Sequence, residues 1–182
     1  MSRVPGSPRR ARSVTARAVT ARTLLGRLAR DRATLAVAES CTGGLLGATL
    51  TAVPGASRVF LGGIIAYADG AKVGGLGVDD RVLRGAGSVS AAAVEAMAHG
   101  ARDRFGASLG VAVSGIAGPG GGTVGKPVGT VWLAALGPGD LLHVHRLQAS
   151  GGRSAVRRAA VREAMRLLWG NLLEAERERI VG

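Results

Sequence analysis

Residues 34–50 constrain the fold of this chain more than any other stretch, because they join a strand pattern to a helix pattern through one short turn. Residues 34–37, Thr-Leu-Ala-Val, are typical of a buried strand, and residues 45–50 are apolar and compatible with a helix. The turn between them, residues 38–44, has the sequence Ala-Glu-Ser-Cys-Thr-Gly-Gly. It therefore lies at the carboxyl end of a strand, where open α/β sheets bind their ligands.

Two interpretations of this turn are open. In the first, Ser40 or Thr42 caps the helix, a role that both residue types favour. In the second, Ser40 is a nucleophile beside unpaired backbone N–H groups at the start of the helix, and Gly43 and Gly44 let a ligand approach the backbone closely. The turn alone does not decide between them.

Strand and helix patterns alternate along the rest of the chain. Gly62 and Gly63 predict a weakening or a bulge inside a long second strand, and Ser90 is in position to cap a long helix. We predict a three-layer α/β/α sandwich with a mixed, mostly parallel five-stranded sheet in which one strand is antiparallel. The predicted strands are residues 34–37, 59–67, 109–113, 128–136 and 141–147, and the predicted helices are residues 14–31, 43–50, 79–83, 91–105 and 155–176.

The length of 182 residues fits one domain with a full core. Residues 1–12 combine Pro, Gly and clustered Arg, which predicts a disordered basic tail, and residues 13–182 form the single predicted domain. No apolar run approaches the roughly 18 to 20 residues that span a bilayer, and no apolar segment of a signal peptide follows the basic N-terminus. Since Cys41 is the single cysteine, nothing indicates an oxidising compartment, and we expect a cytoplasmic protein.

The net charge of +12 raises the question of nucleic-acid binding. Most of that charge is local, because residues 1–32 hold nine arginines and one aspartate. Aromatic residues make up only 3% of the chain, which leaves little for base stacking. The sequence therefore favours at most non-specific contact of a basic arm with nucleic acid, and no membrane partner.

Lysine is rare in this chain, because only Lys72 and Lys126 among its 24 basic residues are lysines. Where positive charge alone is needed, the chain uses arginine, which keeps its proton in proteins, whereas a desolvated lysine can lose it. Lys72 and Lys126 are therefore candidates for proton chemistry. The alternative is that both are ordinary solvated loop lysines.

Residues 114–127 form a long glycine-rich loop, and such a loop in a compact domain usually carries function. Gly120, Gly125 and Lys126 begin a P-loop pattern, but Pro127 replaces the hydroxyl residue that binds Mg²⁺, and a strand follows where a helix is needed. The dinucleotide-binding fingerprint is also rejected, because the helix that would hold the pyrophosphate is missing after the loop. A looser role is left, in which backbone amides of this loop bind an anion or a carboxamide.

The histidines offer little for a metal site or for a Ser-His-Asp triad. His143 and His145 share one strand face without a carboxylate or cysteine at ligand spacing, and His99 lies on a predicted helix. We expect exposed strand histidines and no metal. Cys41 is a rival nucleophile to Ser40, but successive strand residues point to opposite faces of a sheet.

A serine with a lysine is the chemistry that remains. Ser40 ends one predicted strand and Lys72 follows the next, so parallel pairing of these two strands brings both residues to one edge of the sheet. A neutral Lys72 placed there accepts the proton of Ser40. Tyr67, just before the lysine, relays that proton or orients the pair.

The motifs together resemble the CinA carboxy-terminal domain family, from residue 33 to residue 168. Members of this family include nicotinamide-nucleotide amidohydrolases, or NMN deamidases. The residues that carry the resemblance are 38–44, Tyr67, Ala71 and Lys72, 115–119, 126–132, Arg153 and 156–158.

The resemblance implies hydrolysis of the carboxamide of nicotinamide mononucleotide (NMN) to nicotinate mononucleotide and ammonia, by a homodimer without a metal or other cofactor. It places the catalytic residues on Ser40, Lys72 and Tyr67. Ser40 attacks the carbonyl, and Lys72 acts as general base and later protonates the departing ammonia. Backbone amides near Thr42, Gly43 and Gly44 hold the oxyanion. Arg153 or the glycine-rich loop holds the phosphate. The implied substrate-binding residues are Thr42, Gly43, Gly44, Ser114, Gly115, Ile116, Ala117, Gly118 and Arg153.

Two segments depart from the family pattern. The residues before the lysine usually read Tyr-Ser-Asn-Glu-Ala-Lys, whereas this chain has Asp69 and Gly70 in the middle, and a Gly-Asp-Arg segment has become Gly-Gly-Arg at residues 151–153. Asp69 favours the charged form of Lys72, which opposes a base role. The alternatives are a non-catalytic nucleotide-binding relative and a competence-associated accessory protein.

Overall fold

Strands and helices alternate in the computed structural model, which describes residues 19–181, with side chains as far as Arg177. Two short 3₁₀ turns, Ala56–Arg58 and Pro138–Asp140, lie in connections. The strands are β1 (Leu35–Glu39), β2 (Phe60–Ile65), β3 (Leu109–Gly115), β4 (Thr130–Leu136) and β5 (Leu142–Gln148). The helices are α1 (Ala21–Arg30), α2 (Leu45–Thr51), α3 (Asp69–Leu76), α4 (Asp80–Gly85), α5 (Ala91–Phe105) and α6 (Arg153–Val181).

The five strands form one sheet in the order β2-β1-β3-β4-β5. β1 pairs in parallel with both β2 and β3, β4 is antiparallel to β3, and β5 is antiparallel to β4. Four strands therefore run in one direction and β4 runs against them, which confirms the predicted mixed, mostly parallel sheet. The carboxyl ends of β2, β1 and β3 lie side by side as a consequence.

Alternating side chains of β1 divide the core into two layers. Leu35 and Val37 pack in a cluster with α1, α2 and α6, whereas Ala36 and Ala38 pack in a second cluster with α3, α4 and α5. Small residues on the second face let α5 approach the sheet closely, because a Cβ at Gly110 of β3 would stand 2.2 Å from the carbonyl oxygen of Ala98. The helices on both faces complete the predicted three-layer sandwich.

Residues 69–76 form a helix that the sequence patterns did not predict. Lys72 therefore lies in α3 and is 1% exposed, so the alternative of a solvated loop lysine is wrong for it. Leu76 anchors this helix in the core, and Gly77, with a φ of 69°, ends it in a left-handed conformation.

Other boundaries shift by a few residues. Ser90 caps α5 as predicted. The register of β2 changes between Leu35–Phe60 and Ala36–Gly62, so the irregularity falls at Leu61, one residue before the predicted glycine pair. Residues 14–18 of the first predicted helix, and the predicted tail at residues 1–12, lie outside the described residues. Within residues 19–181 no helix has the length and apolar character needed to cross a membrane.

Candidate active site

Ser40 directly follows β1 and sits between the ends of β2 and β3. Its amide donates to Val113 O of β3 at 2.9 Å, and the amide of Ala66, just after β2, donates to Glu39 O at 2.8 Å. Glu39 pairs with Ile65 of β2 and with Val113 of β3, and both pairings are parallel, so the next row across the sheet is Ala66, Ser40 and Ser114. By strand alternation this row continues the face of Ala38, which packs against α3 and α5.

Lys72 approaches the same face from α3. Its Nζ lies 3.1 Å from Asp69 Oδ1, which also accepts a hydrogen bond from Ser88 Oγ at 2.5 Å. The carbonyl oxygen of Ser88 accepts from Ser114 Oγ at 2.6 Å. A chain of contacts therefore leads from Lys72 to the row that contains Ser40, although no hydrogen bond joins Ser40 Oγ to Lys72 Nζ among residues 19–181.

Asp69 is ionised near neutral pH. The hydrogen bond from Ser88, followed by the contact with Lys72, holds the pKa of Asp69 below its usual range. Asp69 and Lys72 are thus in direct contact, which supports the expectation from the sequence that Asp69 stabilises the charged form of Lys72.

Glu39, rather than Ser40 or Thr42, caps α2. The N-cap residue is Gly44, which has no side chain to cap with, and the buried carboxylate of Glu39 accepts from the amides of Gly44, Leu46 and Gly47 at 2.8–3.0 Å. The capping interpretation is therefore wrong. The sequence signal for Glu39 was a lone acidic residue at the end of a buried strand, just before a glycine turn.

The unpaired donors predicted at the start of the helix are mostly engaged. The amide of Gly43 donates to Ser40 O at 3.0 Å, and that of Gly44 is taken by Glu39. The prediction that these two amides are free is wrong, because a carboxylate of the chain itself already satisfies the first turn of the helix. Of the three predicted oxyanion donors, only the amide of Thr42 has no hydrogen-bond partner within the described part of the chain.

Arg157 of α6 holds the same turn from the opposite layer. Its Nε and Nη2 donate to Thr42 O at 3.1 and 2.6 Å. The sequence motif included Arg157 but gave it no role. Arg157 lies four residues after Arg153, so both guanidinium groups are on one side of α6. This spacing was the sequence signal from which a role for Arg157 could have been predicted.

Arg153 connects two other predicted site residues. Its Nη2 donates to Tyr67 Oη at 2.7 Å and its Nη1 donates to Gly118 O at 2.9 Å. Tyr67 is 58% exposed and makes no hydrogen bond to Ser40 or Lys72 among residues 19–181. Its predicted relay contact is thus replaced by a contact with Arg153 at the rim of the site.

The start of the glycine-rich loop is fixed by the sheet. Gly115 pairs with Val131 of β4, and the amide of Ile116 donates to Thr130 O at 2.8 Å. Ser114 and Ala117 are buried, whereas residues 119–125 are exposed. Only the later part of the loop is therefore open to a ligand in this conformation.

Cys41 lies on the opposite side of the sheet from Ala38. It is 5% exposed in the cluster of α1, α2 and α6, and burial raises the pKa of its thiol to about 11. A thiol that holds its proton so firmly is a poor nucleophile near neutral pH.

His143 and His145 each have a carboxylate partner on α6, which the sequence spacing did not reveal. The Nε2 of His143 lies 2.9 Å from Glu174 and that of His145 lies 3.3 Å from Glu163. Both are partly covered, so the expectation of simply exposed histidines is corrected. Within residues 19–181 no three His, Cys, Asp or Glu side chains group as metal ligands.

These features define an α/β protein of three layers, with a serine at the carboxyl end of β1 and a buried lysine on the helix that follows the adjacent parallel strand β2. Residues 17–172 match the family described as the CinA C-terminal domain. The chain belongs to this family, as its motifs indicated.

Curated relatives share the family but are longer. The chain is 56% identical over 133 residues to a CinA-like protein of Synechococcus sp. (strain CC9902), covering 72% of this chain and 32% of that protein. It is 47% identical over 150 residues to a CinA-like protein of Gloeobacter violaceus, covering 82% of this chain and 35% of that protein. The chain thus spans about a third of the length of these relatives.

Two solved structures share the fold. Competence/damage inducible protein CihA from Agrobacterium tumefaciens superposes with a TM-score of 0.81 at 39% identity, covering 83% of this chain and 92% of that one. A CinA superfamily protein from Escherichia coli gives a TM-score of 0.78 at 33% identity, covering 85% and 91%. Both confirm the predicted fold class.

Proposed function

We propose that this protein hydrolyses the carboxamide of nicotinamide mononucleotide to nicotinate mononucleotide and ammonia, with Ser40 as nucleophile and Lys72 as general base. The observation that carries the proposal is the placement of Ser40 and of the helix bearing Lys72 on one face and one edge of the sheet. Membership of the CinA C-terminal domain family adds support. A homodimer belongs to the same proposal and is checked by light scattering.

The first half of the reaction forms an acyl-enzyme. Lys72 in its neutral form takes the proton of Ser40 Oγ, directly or through one water, while Oγ attacks the amide carbonyl carbon. The amide of Thr42 donates to the developing oxyanion, and Arg157 fixes the turn that carries this amide. The protonated lysine then gives its proton to the departing ammonia.

The second half releases the product. Water attacks the ester carbonyl, Lys72 accepts its proton, and collapse of the intermediate returns that proton to Ser40 Oγ. At the rim Arg153 uses Nη1 and Nη2 to hold Gly118 and Tyr67, so its remaining N–H groups are the donors for a nucleotide phosphate.

Ammonia release from nicotinamide mononucleotide tests the proposal. We expect turnover by the native chain, and a loss of at least about a hundredfold in Ser40→Ala and in Lys72→Met, because general acid–base catalysis alone contributes 10²–10⁴. Cys41→Ala is the matched control: it changes the adjacent residue on the other face and keeps activity within about twofold. Turnover that survives in Ser40→Ala contradicts the proposed nucleophile.

One contact favours the alternative of a non-catalytic nucleotide-binding relative. Asp69 lies 3.1 Å from Lys72 Nζ and stabilises the ammonium form, which cannot act as a base. Calorimetric titration with nicotinamide mononucleotide separates the two functions. Binding without any ammonia release between pH 6 and 10 supports the alternative and contradicts the hydrolase.

A further inference from the structure

Ser88 lies in the segment between α4 and α5, and neither the sequence motifs nor the proposed reaction gives it a role. It nevertheless contacts both sides of the candidate site. Its Oγ donates to Asp69 Oδ1 at 2.5 Å, and its carbonyl oxygen accepts from Ser114 Oγ at 2.6 Å. One residue therefore connects α3, which carries Lys72, with β3 beside Ser40.

Two donors meet at a single oxygen atom of Asp69. Oδ1 accepts from Ser88 Oγ at 2.5 Å and from Lys72 Nζ at 3.1 Å, so the neutral hydroxyl makes the shorter of the two bonds. The positive end of the Ser88 O–H dipole points at the atom that attracts the ammonium group. It offsets part of the attraction of the carboxylate for Lys72.

The other charged groups near Lys72 do not replace Ser88 in offsetting the attraction between Asp69 and Lys72. Within residues 19–181 its ion pair is with Asp69 alone, and β2 carries no ionisable side chain. From the glycine-rich loop, Lys126 Nζ donates to Ala86 O at 2.9 Å, two residues before Ser88. The ionisable groups around the far end of α3, in a groove beside Leu76, are Asp79, Glu95, His99, Asp103 and Arg104.

We propose that Ser88 is a positioning residue: by sharing Asp69 Oδ1 with Lys72, it weakens the hold of the carboxylate on the ammonium group and so makes Lys72 available as a base. The catalytic consequence rests on the proposed function. The effect on the charge of Lys72 does not, since it follows from the three contacting groups alone.

The small number of lysines makes a direct test practicable. Protein labelled with ¹³C at lysine Cε gives two signals in a spectrum, because the chain has only Lys72 and Lys126, and Lys126→Arg assigns them. We expect Ser88→Ala to move the titration midpoint of the Lys72 signal upward by about half a pH unit. The shift is this small because the side chain of Asp69 is 58% exposed and water screens the pair.

Three further variants test whether Ser88 acts by sharing the Asp69 oxygen with Lys72 or only by stabilising the structure. Ser88→Thr keeps the hydroxyl and leaves the midpoint in place. In an Asp69→Asn background Ser88→Ala has no effect on it. Ser108→Ala removes a serine hydroxyl that bonds to Thr34, beyond the other end of the sheet, and serves as control.

The inference is overturned by an unchanged Lys72 titration in Ser88→Ala, or by a shift of equal size when residue 69 is Asn. Should Ser88→Ala not fold, Ser88→Cys replaces the hydroxyl by a weak donor and faces the same two criteria. Asp69→Asn alone must move the midpoint downward, and failure to do so also overturns the inference.

Enzyme kinetics provide the catalytic readout. A shift of half a pH unit changes the fraction of neutral lysine about threefold. We therefore expect Ser88→Ala to lower kcat near neutral pH about threefold and to leave KM unchanged. The rising limb of the pH profile moves to higher pH. If the native chain releases no ammonia, the proposed function fails. The lysine titration still decides the inference about Ser88.

Discussion

Glu39 shows how one buried carboxylate limits what the neighbouring turn can bind. It is 1% exposed and accepts three backbone N–H bonds from the turn and first residues of α2. A carboxylate satisfied in this way needs no cation beside it. Because Glu39 already takes these amides, the proposed reaction uses groups just before the helix, Ser40 and the amide of Thr42.

Thr42 carries a buried hydroxyl without a partner, which makes a clear stability prediction. Its Oγ1 has no hydrogen bond within residues 19–181, and the residue is 0% exposed. A buried polar group left unpaired costs about 1–3 kcal/mol, so we expect Thr42→Val to raise the free energy of unfolding by about 1 kcal/mol in urea titrations.

Thr130→Val is the matched control for that prediction. Thr130 is equally buried, but its Oγ1 bonds to Gln148 Oε1 at 3.0 Å. Its replacement removes a satisfied bond and lowers the free energy of unfolding by about 1 kcal/mol. Changes of the same sign in the two variants would contradict the assignment of partners.

The sequence predicted that Ser40 and the segment bearing Lys72 lie at one edge of the sheet, but it did not predict the contacts around them. Strand ends follow from local apolar patterns, and parallel pairing then brings successive ends together. The contacts of Glu39, Ser88 and Arg157 depend on loop geometry and on α6, which packs on the opposite face. No local pattern fixes such distances.

Helix α3 shows why one element escaped prediction. Gly70, Gly74 and Gly75 lie within its eight residues, and each glycine disfavours a helix by about 1 kcal/mol. Packing overrides this preference, because Leu76 and Ala71 lie against the core of the second face. The helix therefore depends on its contact with α5 more than on its own sequence.

Gly100 of α5 lies in close contact with α3. A Cβ there would stand 2.0 Å from Leu76 O, a backbone atom that cannot move without shifting α3. We expect Gly100→Ala to lower the free energy of unfolding by about 2–3 kcal/mol, as other overpacked sites do. Thermal and urea unfolding measure the change.

Gly26 of α1 supplies the control for this prediction. It is also a glycine inside a helix, but apart from its chain neighbours and the backbone of its own helix nothing lies within 4 Å of a Cβ built on it. Gly26→Ala gains only helix propensity and raises the free energy of unfolding by up to about 1 kcal/mol. A stabilising Gly100→Ala would show that α3 and α5 are not in close contact.

At the scale of the whole molecule, α6 links the candidate site to the first described helix. Arg157 near its start holds the turn beside Ser40, and its later turns pack on the same face as α1. The sequence predicted this helix. The long-range contact of Arg27 could not be predicted, because Glu176 lies 149 residues away in the sequence.

Arg27 joins the two helices through a largely buried charge cluster. It is 5% exposed and contacts Asp31 at 2.6 Å and Glu176 at 2.8 Å.

We expect Arg27→Ala to lower the free energy of unfolding by about 2–3 kcal/mol. This loss is below the roughly 3–5 kcal/mol typical of a fully buried pair because Glu176 is 49% exposed. Arg27→Met fills the same space and loses less. Arg81→Ala breaks an exposed ion pair with Asp79, which precedes α4, and leaves the stability nearly unchanged because water screens exposed pairs. Urea unfolding followed by circular dichroism measures all three variants, and equal losses for Arg27→Ala and Arg81→Ala would contradict a specific link between α1 and α6.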